Sequence, residues 1–153
     1  MSRIRLPLLA LALAVALPSA ASAEGMGPPE ETVAQINEKW NRAFNSGDAE
    51  GLAALYAPDA VVSPGNGQVV QGRDAIRDLF QAFIDSGAGN HELTPVVVGS
   101  KGPGLHQVAE WSALGGEQDG ERPAFGGIMM NVYERDPQTG EWLSQSHVWN
   151  TGG

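Results

Sequence analysis

Glu110, Asn131 and His147 are the residues of this chain whose types could run acid–base chemistry. An imidazole titrates nearest to neutral pH, and a carboxylate beside it would hold its tautomer and raise its basicity. An asparagine amide supplies one donor for a carbonyl or a developing oxyanion. The three sit on separate stretches of sequence, so only convergence on an interior would join them. The plainer alternative is a solvent-facing Glu110, a His147 in a structural hydrogen bond and an Asn131 that satisfies backbone groups. No local catalytic motif competes with them, because G-x-S-x-G, H-E-x-x-H, the P-loop and G-x-G-x-x-G are all missing. His91, His106 and His147 have no spacing that gathers a metal, and neither metal nor cofactor is expected.

The elements that must position these side chains change character midway. From about residue 91 the apolar pattern has period 2, with strands expected at 91–99, 104–114, 123–135 and 141–151. In 104–114 one face carries Leu105, Gln107, Ala109, Trp111 and Ala113, and the other His106, Val108, Glu110, Ser112 and Leu114. Phe125, Met129, Asn131 and Tyr133 share a face in the next strand, as do Gln145, His147 and Trp149 in the last. Faces that mix large apolar groups with a few polar ones suit the lining of a ligand cavity. Trp40, Tyr56, Met129, Tyr133, Gln145 and Trp149 are the expected pocket-lining residues, although core packing explains many of them as well.

The N-terminal half has helical period instead. Val33, Ile36, Trp40, Ala43 and Phe44 make one apolar face, entered at Pro28 and Pro29 and stopped at Gly47. Asp48 caps a short second helix with Leu52, Leu55 and Tyr56 on its buried edge. Ala57-Pro58-Asp59 turns into a brief strand at 60–63, and Gly72-Arg73-Asp74 opens a third helix with Ile76, Leu79, Phe80, Phe83 and Ile84 inward. Helices first and an antiparallel meander afterwards give an α+β fold.

The run from Trp40 to Phe83, with Asn45-Ser46-Gly47-Asp48 at its centre and the closing Gly140-Glu141-Trp142, resembles the NTF2-like superfamily. The likeness is to its SnoaL-like and DUF4440-like members and, more distantly, to ketosteroid isomerases. It implies a cone-shaped, cystatin-like half-barrel, with three N-terminal helices packed on a curved, mainly antiparallel sheet around one internal pocket. It places Trp40 where the isomerases carry a phenol donor, Ser63 or Pro64 at their catalytic aspartate, and Asn131 at their protonated aspartic acid. The missing carboxylate and phenol disfavour steroid isomerisation. The leading expectation is therefore a domain binding a small apolar or aromatic ligand. A proton-transfer enzyme of isomerase, cyclase or dehydratase type, using His147 and Glu110, is the second. A dimeric interaction module with a vestigial pocket is the third. The resemblance, together with the apolar side chains of Leu105, Trp111 and Trp142 expected on the outer face, predicts a homodimer through the sheet.

The ends and the charge bound these readings. Arg3 and Arg5, an apolar run over 6–17 and Ala21-Ser22-Ala23 read as a signal peptide over 1–23, cleaved after Ala23 for export to a bacterial periplasm or beyond. Residues 24–29 are then a leader and 30–153 a single domain. Losing the two leader arginines leaves seven basic against 18 acidic residues, a net charge of −11. Such a surface repels nucleic acid and anionic membranes, so neither is an expected partner after cleavage. With no cysteine in an oxidising compartment, packing alone must hold the fold. The intact mass of the exported protein is expected to begin at Glu24; a full-length chain retained in the membrane fraction would refute the leader assignment.

Overall fold

The computed structural model describes residues 27–152, so the predicted signal peptide lies outside the described residues. Three helices lead: α1 over Pro29–Asn45, α2 over Ala49–Ala54 and α3 over Arg73–Asp85. Six strands follow and interleave, namely β1 Tyr56–Ser63, β2 Val70–Gln71, β3 Gly89–Lys101, β4 Gly104–Leu114, β5 Ala124–Arg135 and β6 Trp142–Trp149. They form one open, curved sheet in the order β2-β1-β6-β5-β4-β3. Every adjacent pair is antiparallel except β1 and β6, which run parallel. The α+β half-barrel expected from the sequence is the fold observed.

Local chemistry explains the helix ends. Asp48 Oδ1 accepts from the Gly51 amide at 2.7 Å, capping α2 as its position predicts. Gly47 leaves α1 with φ +77°, a conformation that a side chain resists. Val33, Trp40 and Phe44 face inward on α1, while Ile76 and Phe80 do so on α3. One main core joins Trp40, Phe44, Leu52, Tyr56, Ile76, Phe80 and Leu143, and a smaller cluster joins Val33 to Leu105 and Tyr133.

Strand limits differ from the sequence reading, most at β1 and β6. Residues 57–59 are strand, not turn, because β1 starts at Tyr56, with an irregularity before Val61 where it meets β6. Tyr56 therefore belongs to the sheet and not to the end of α2. In β6, a bulge separates the pairs Tyr133↔Ser144 and Val132↔Ser146, leaving Gln145 as the extra residue. The alternation inverts there: Ser144 turns inward while His147 and Trp149 keep the concave face.

Cross-strand register sets the concave surface in rows. Val98, Gln107, Asn131, His147 and Val62 stand side by side from β3 to β1. The neighbouring row carries Pro95, Ala109, Met129 and Trp149. On the convex side the corresponding row is Val97, Val108, Met130 and Val148, of which Val97, Met130 and Val148 are about half exposed. Leu105, Trp111 and Trp142, expected on that outer face, are elsewhere. Leu105 is buried in the smaller cluster, Trp142 packs against it, and Trp111 lines the interior.

Candidate functional site

The helices and the concave face enclose a cavity of about 430 Å³ that opens to solvent on one side. Trp40, Phe44, Phe80, Trp111, Met129 and Trp149 supply most of its wall. Phe83 and Phe125, both more than a third exposed, stand at its rim with Asn66 and Thr151. Among the described residues, no carboxylate, lysine or arginine lines it, and its titratable groups are His91 and His147.

His147 is held from behind. Trp40 Nε1 donates to the Tyr56 hydroxyl at 2.9 Å, and that hydroxyl lies 2.8 Å from His147 Nδ1. Tyr56 is itself fixed, because Arg73 Nε donates to its carbonyl at 2.6 Å and its ring is fully buried. Burial pushes the Tyr56 phenol well above its ordinary pKa, so it keeps its proton. Burial likewise pulls His147 down to about 3, with the His91 imidazole adding to the shift. The Trp149 ring flanks His147 at 5.0 Å between centroids.

His91, near the start of β3, comes from a different part of the fold. Its Nδ1 pairs with Asn41 Oδ1 at 2.9 Å. Asn45 grips its backbone, accepting from the amide at 2.7 Å and donating to the carbonyl at 2.9 Å. The Trp40 ring lies 4.4 Å from the His91 ring, tilted by 48°, and the Trp111 ring lies 6.2 Å away, within 7° of parallel. Burial holds the His91 pKa at about 4. Both imidazoles are thus neutral at pH 7.

The structure brings His147, Trp40, Met129 and Trp149 to the cavity and places Tyr56 directly behind His147. Asn131 is His147's neighbour in the row, but it is buried against Ser144, whose Oγ donates to its Oδ1 at 2.7 Å, and it does not line the cavity. Tyr133 is also buried away from it, accepting from Gln107, which exchanges two further bonds with Asn37. Two expectations are corrected. Glu110 is exposed on the convex face opposite Ile128, because strand alternation sends it away from His147, so no dyad forms. Gln145, displaced by the bulge, points out toward Glu134, 3.5 Å from its carboxylate.

His91 is a cavity-lining titratable residue that the sequence reading did not place in the pocket. The signal for it lies on α1, where Asn37, Asn41 and Asn45 recur every four residues. Asparagine is a poor helix former, and three on one face need partners. Those partners are Gln107 for Asn37 and His91 for the other two. No group of three or more histidine, aspartate or glutamate side chains able to hold a metal occurs among the described residues.

Comparison with known proteins agrees with this architecture. Residues 37–141 match the SnoaL-like domain family. A candidate calcium/calmodulin-dependent protein kinase II association domain from Xanthomonas campestris superposes with a TM-score of 0.71 at 23% identity, over 90% of this chain and 93% of that one. An NTF2-like protein with a cystatin-like fold from Novosphingobium aromaticivorans gives 0.68 at 19% identity, covering 80% of this chain and 81% of its own. A candidate dehydratase of the NTF2-like family from Streptomyces avermitilis gives 0.66 at 18%, covering 80% and 95%. No curated protein matches.

The buried imidazoles make stability depend on pH. The folded chain leaves His147 unprotonated down to about pH 3, whereas an ordinary imidazole binds its proton near 6.5. The unfolded state therefore takes up more protons, and stability falls as pH drops from about 6.5 toward 3. For His147 alone the loss between pH 7 and pH 5 is about 2 kcal/mol. Urea unfolding of His147→Gln at the two pH values is expected to show a loss smaller than that of the parent by this amount. An unchanged difference would mean that His147 is not buried in its neutral form.

Proposed function

Because this chain belongs to the SnoaL-like domain family of the NTF2-like superfamily, we propose that it binds a small, neutral, mostly apolar molecule in the cavity between its helices and sheet. The observation that carries the reading is an aromatic-walled space of about 430 Å³ whose titratable lining groups are two uncharged imidazoles. A well-formed apolar pocket with a few convergent polar groups is the usual form of a small-molecule site. The absence of lining charge favours uncharged ligands, since an anion would lose its hydration without gaining a cationic partner. Proton transfer is the second reading, favoured by the two imidazoles that face one cavity and by the likeness to the candidate dehydratase. We further propose export through the N-terminal leader and pairing of two copies through the convex face. The half-exposed side chains of Val97, Ile128, Met130 and Val148 support that pairing, as does the likeness to a candidate association domain.

Two measurements test these proposals. N-Phenyl-1-naphthylamine, a neutral fluorescent probe, is expected to bind saturably at one site per chain. Ala113→Phe, which builds a ring into the cavity wall, is expected to weaken that binding at least tenfold, about 1.4 kcal/mol. Lack of saturable binding, or an Ala113→Phe variant that folds and binds equally well, would overturn the cavity reading. For the assembly, sedimentation velocity is expected to show a dimer at micromolar concentration and a monomer for Met130→Arg. A monomeric parent protein would defeat it.

A further inference from the structure

We propose that the cavity selects its ligand through two imidazoles locked in opposite tautomers, His147 presenting a donor and His91 an acceptor, so that it favours neutral ring molecules carrying both a carbonyl and a hydroxyl. This rests on the binding reading above and assigns it a chemical class.

The tautomers follow from the atom that faces each Nδ1. The indole Nε1–H of Trp40 can only donate, so the Tyr56 oxygen accepts from it at 2.9 Å. The phenol's own proton must then find an acceptor, and His147 Nδ1 at 2.8 Å is the acceptor within reach. A neutral imidazole that accepts at Nδ1 carries its proton on Nε2. At His91 the logic reverses. Asn41 Oδ1 can only accept, so His91 Nδ1 donates at 2.9 Å and Nε2 is left with its lone pair.

Neither Nε2 bonds to a described residue. Every fully buried side-chain nitrogen or oxygen among those residues has a partner, so both Nε2 atoms keep some exposed surface, and both rings line the cavity. The rings are also fixed in direction. His91 is gripped at its backbone by Asn45 and at Nδ1 by Asn41, with the Trp40 and Trp111 rings beside it. His147 stands 6.1 Å from the same Trp40 ring and 5.0 Å from Trp149. A planar ligand lying in this aromatic box would meet a donor from β6 and an acceptor from β3. A carboxylate would accept from one imidazole and be repelled by the lone pair of the other, with no lysine or arginine among the described lining residues.

Two experiments test this on the whole domain, residues 24–153. Long-range ¹H–¹⁵N correlation at pH 7 is expected to show His147 protonated at Nε2 and His91 at Nδ1. Tyr56→Phe is expected to release His147 into a mixture of tautomers and leave His91 unchanged. The same tautomer at both rings, or a His147 indifferent to Tyr56→Phe, overturns the proposal without any ligand. Affinities for three two-ring probes, read by displacement of N-phenyl-1-naphthylamine, extend the test. Diphenylmethane, benzophenone and 4-hydroxybenzophenone are expected to bind in rising order, each step about three- to tenfold, the usual worth of one neutral hydrogen bond. His147→Phe should erase the first step and His91→Phe the second. Equal affinity for all three would leave the apolar cavity standing and refute the selection by polarity. Failure of all three to bind would refute the binding reading, and this proposal with it.

Discussion

The Tyr56 hydroxyl joins three parts of the chain that form far apart in sequence: α1 through Trp40, the start of β1 through Tyr56 itself, and β6 through His147. A concave sheet face can enclose an apolar cavity only if the polar groups it buries are satisfied by one another, since an unpaired one costs about 1–3 kcal/mol. Tyr56 meets that constraint for Trp40 and His147 together. Arg73, holding the Tyr56 carbonyl from the first turn of α3, ties the third helix into the same arrangement. The helices are thereby registered against the sheet by hydrogen bonds as well as by the packing of Trp40, Phe44 and Phe80.

A second line of polar groups does the same work on the other flank of α1. Asn37 exchanges two bonds with Gln107, and Asn41 and Asn45 hold the side chain and backbone of His91. Packing alone tolerates sliding of a helix along a sheet, because apolar contact has no direction. Bonds of 2.7–3.0 Å at three successive turns do not. The asparagine stripe thus fixes where α1 sits along β3 and β4, and with it the position of Trp40 against both imidazoles. Its cost in helix propensity, a few tenths of a kcal/mol per residue, is small beside the register it sets.

Periodicity made the elements legible. The four long strands, three helices and the inward faces of β4 and β5 follow from the sequence because hydrophobic alternation survives any detail of packing. The site was legible in part. His147, Trp40, Met129 and Trp149 could be assigned from strand and helix phase. Gln145 could not, because a bulge depends on the register of β5 against β6, which a single strand's pattern does not contain. Glu110 was on the correct face of its strand from the start, with Val108 and Ser112; its pairing with His147 required ignoring that phase. His91 lies at the edge of β3, and its role comes from α1 contacts 46 and 50 residues away in sequence.

The same burial that builds the cavity bears on whether it can be catalytic. A general base works best when its conjugate acid has a pKa near the working pH. His91, at about 4, sits about three units below neutrality, and each unit is about 1.4 kcal/mol of lost driving force for taking a proton. His147, lower still, is no better placed, and among the described residues no carboxylate lines the cavity to restore its basicity. Removing a proton from carbon would ask these rings to pay roughly 4 kcal/mol more than a base poised at pH 7. Holding a ligand asks nothing of the kind. A hydrogen-bond donor or acceptor should keep a single protonation state across the working range, and an imidazole that titrates at 3 or 4 does so throughout the neutral region. The burial that would make these histidines poor bases would also make them constant hydrogen-bonding groups toward the proposed ligand, and that asymmetry is why we place binding ahead of proton transfer.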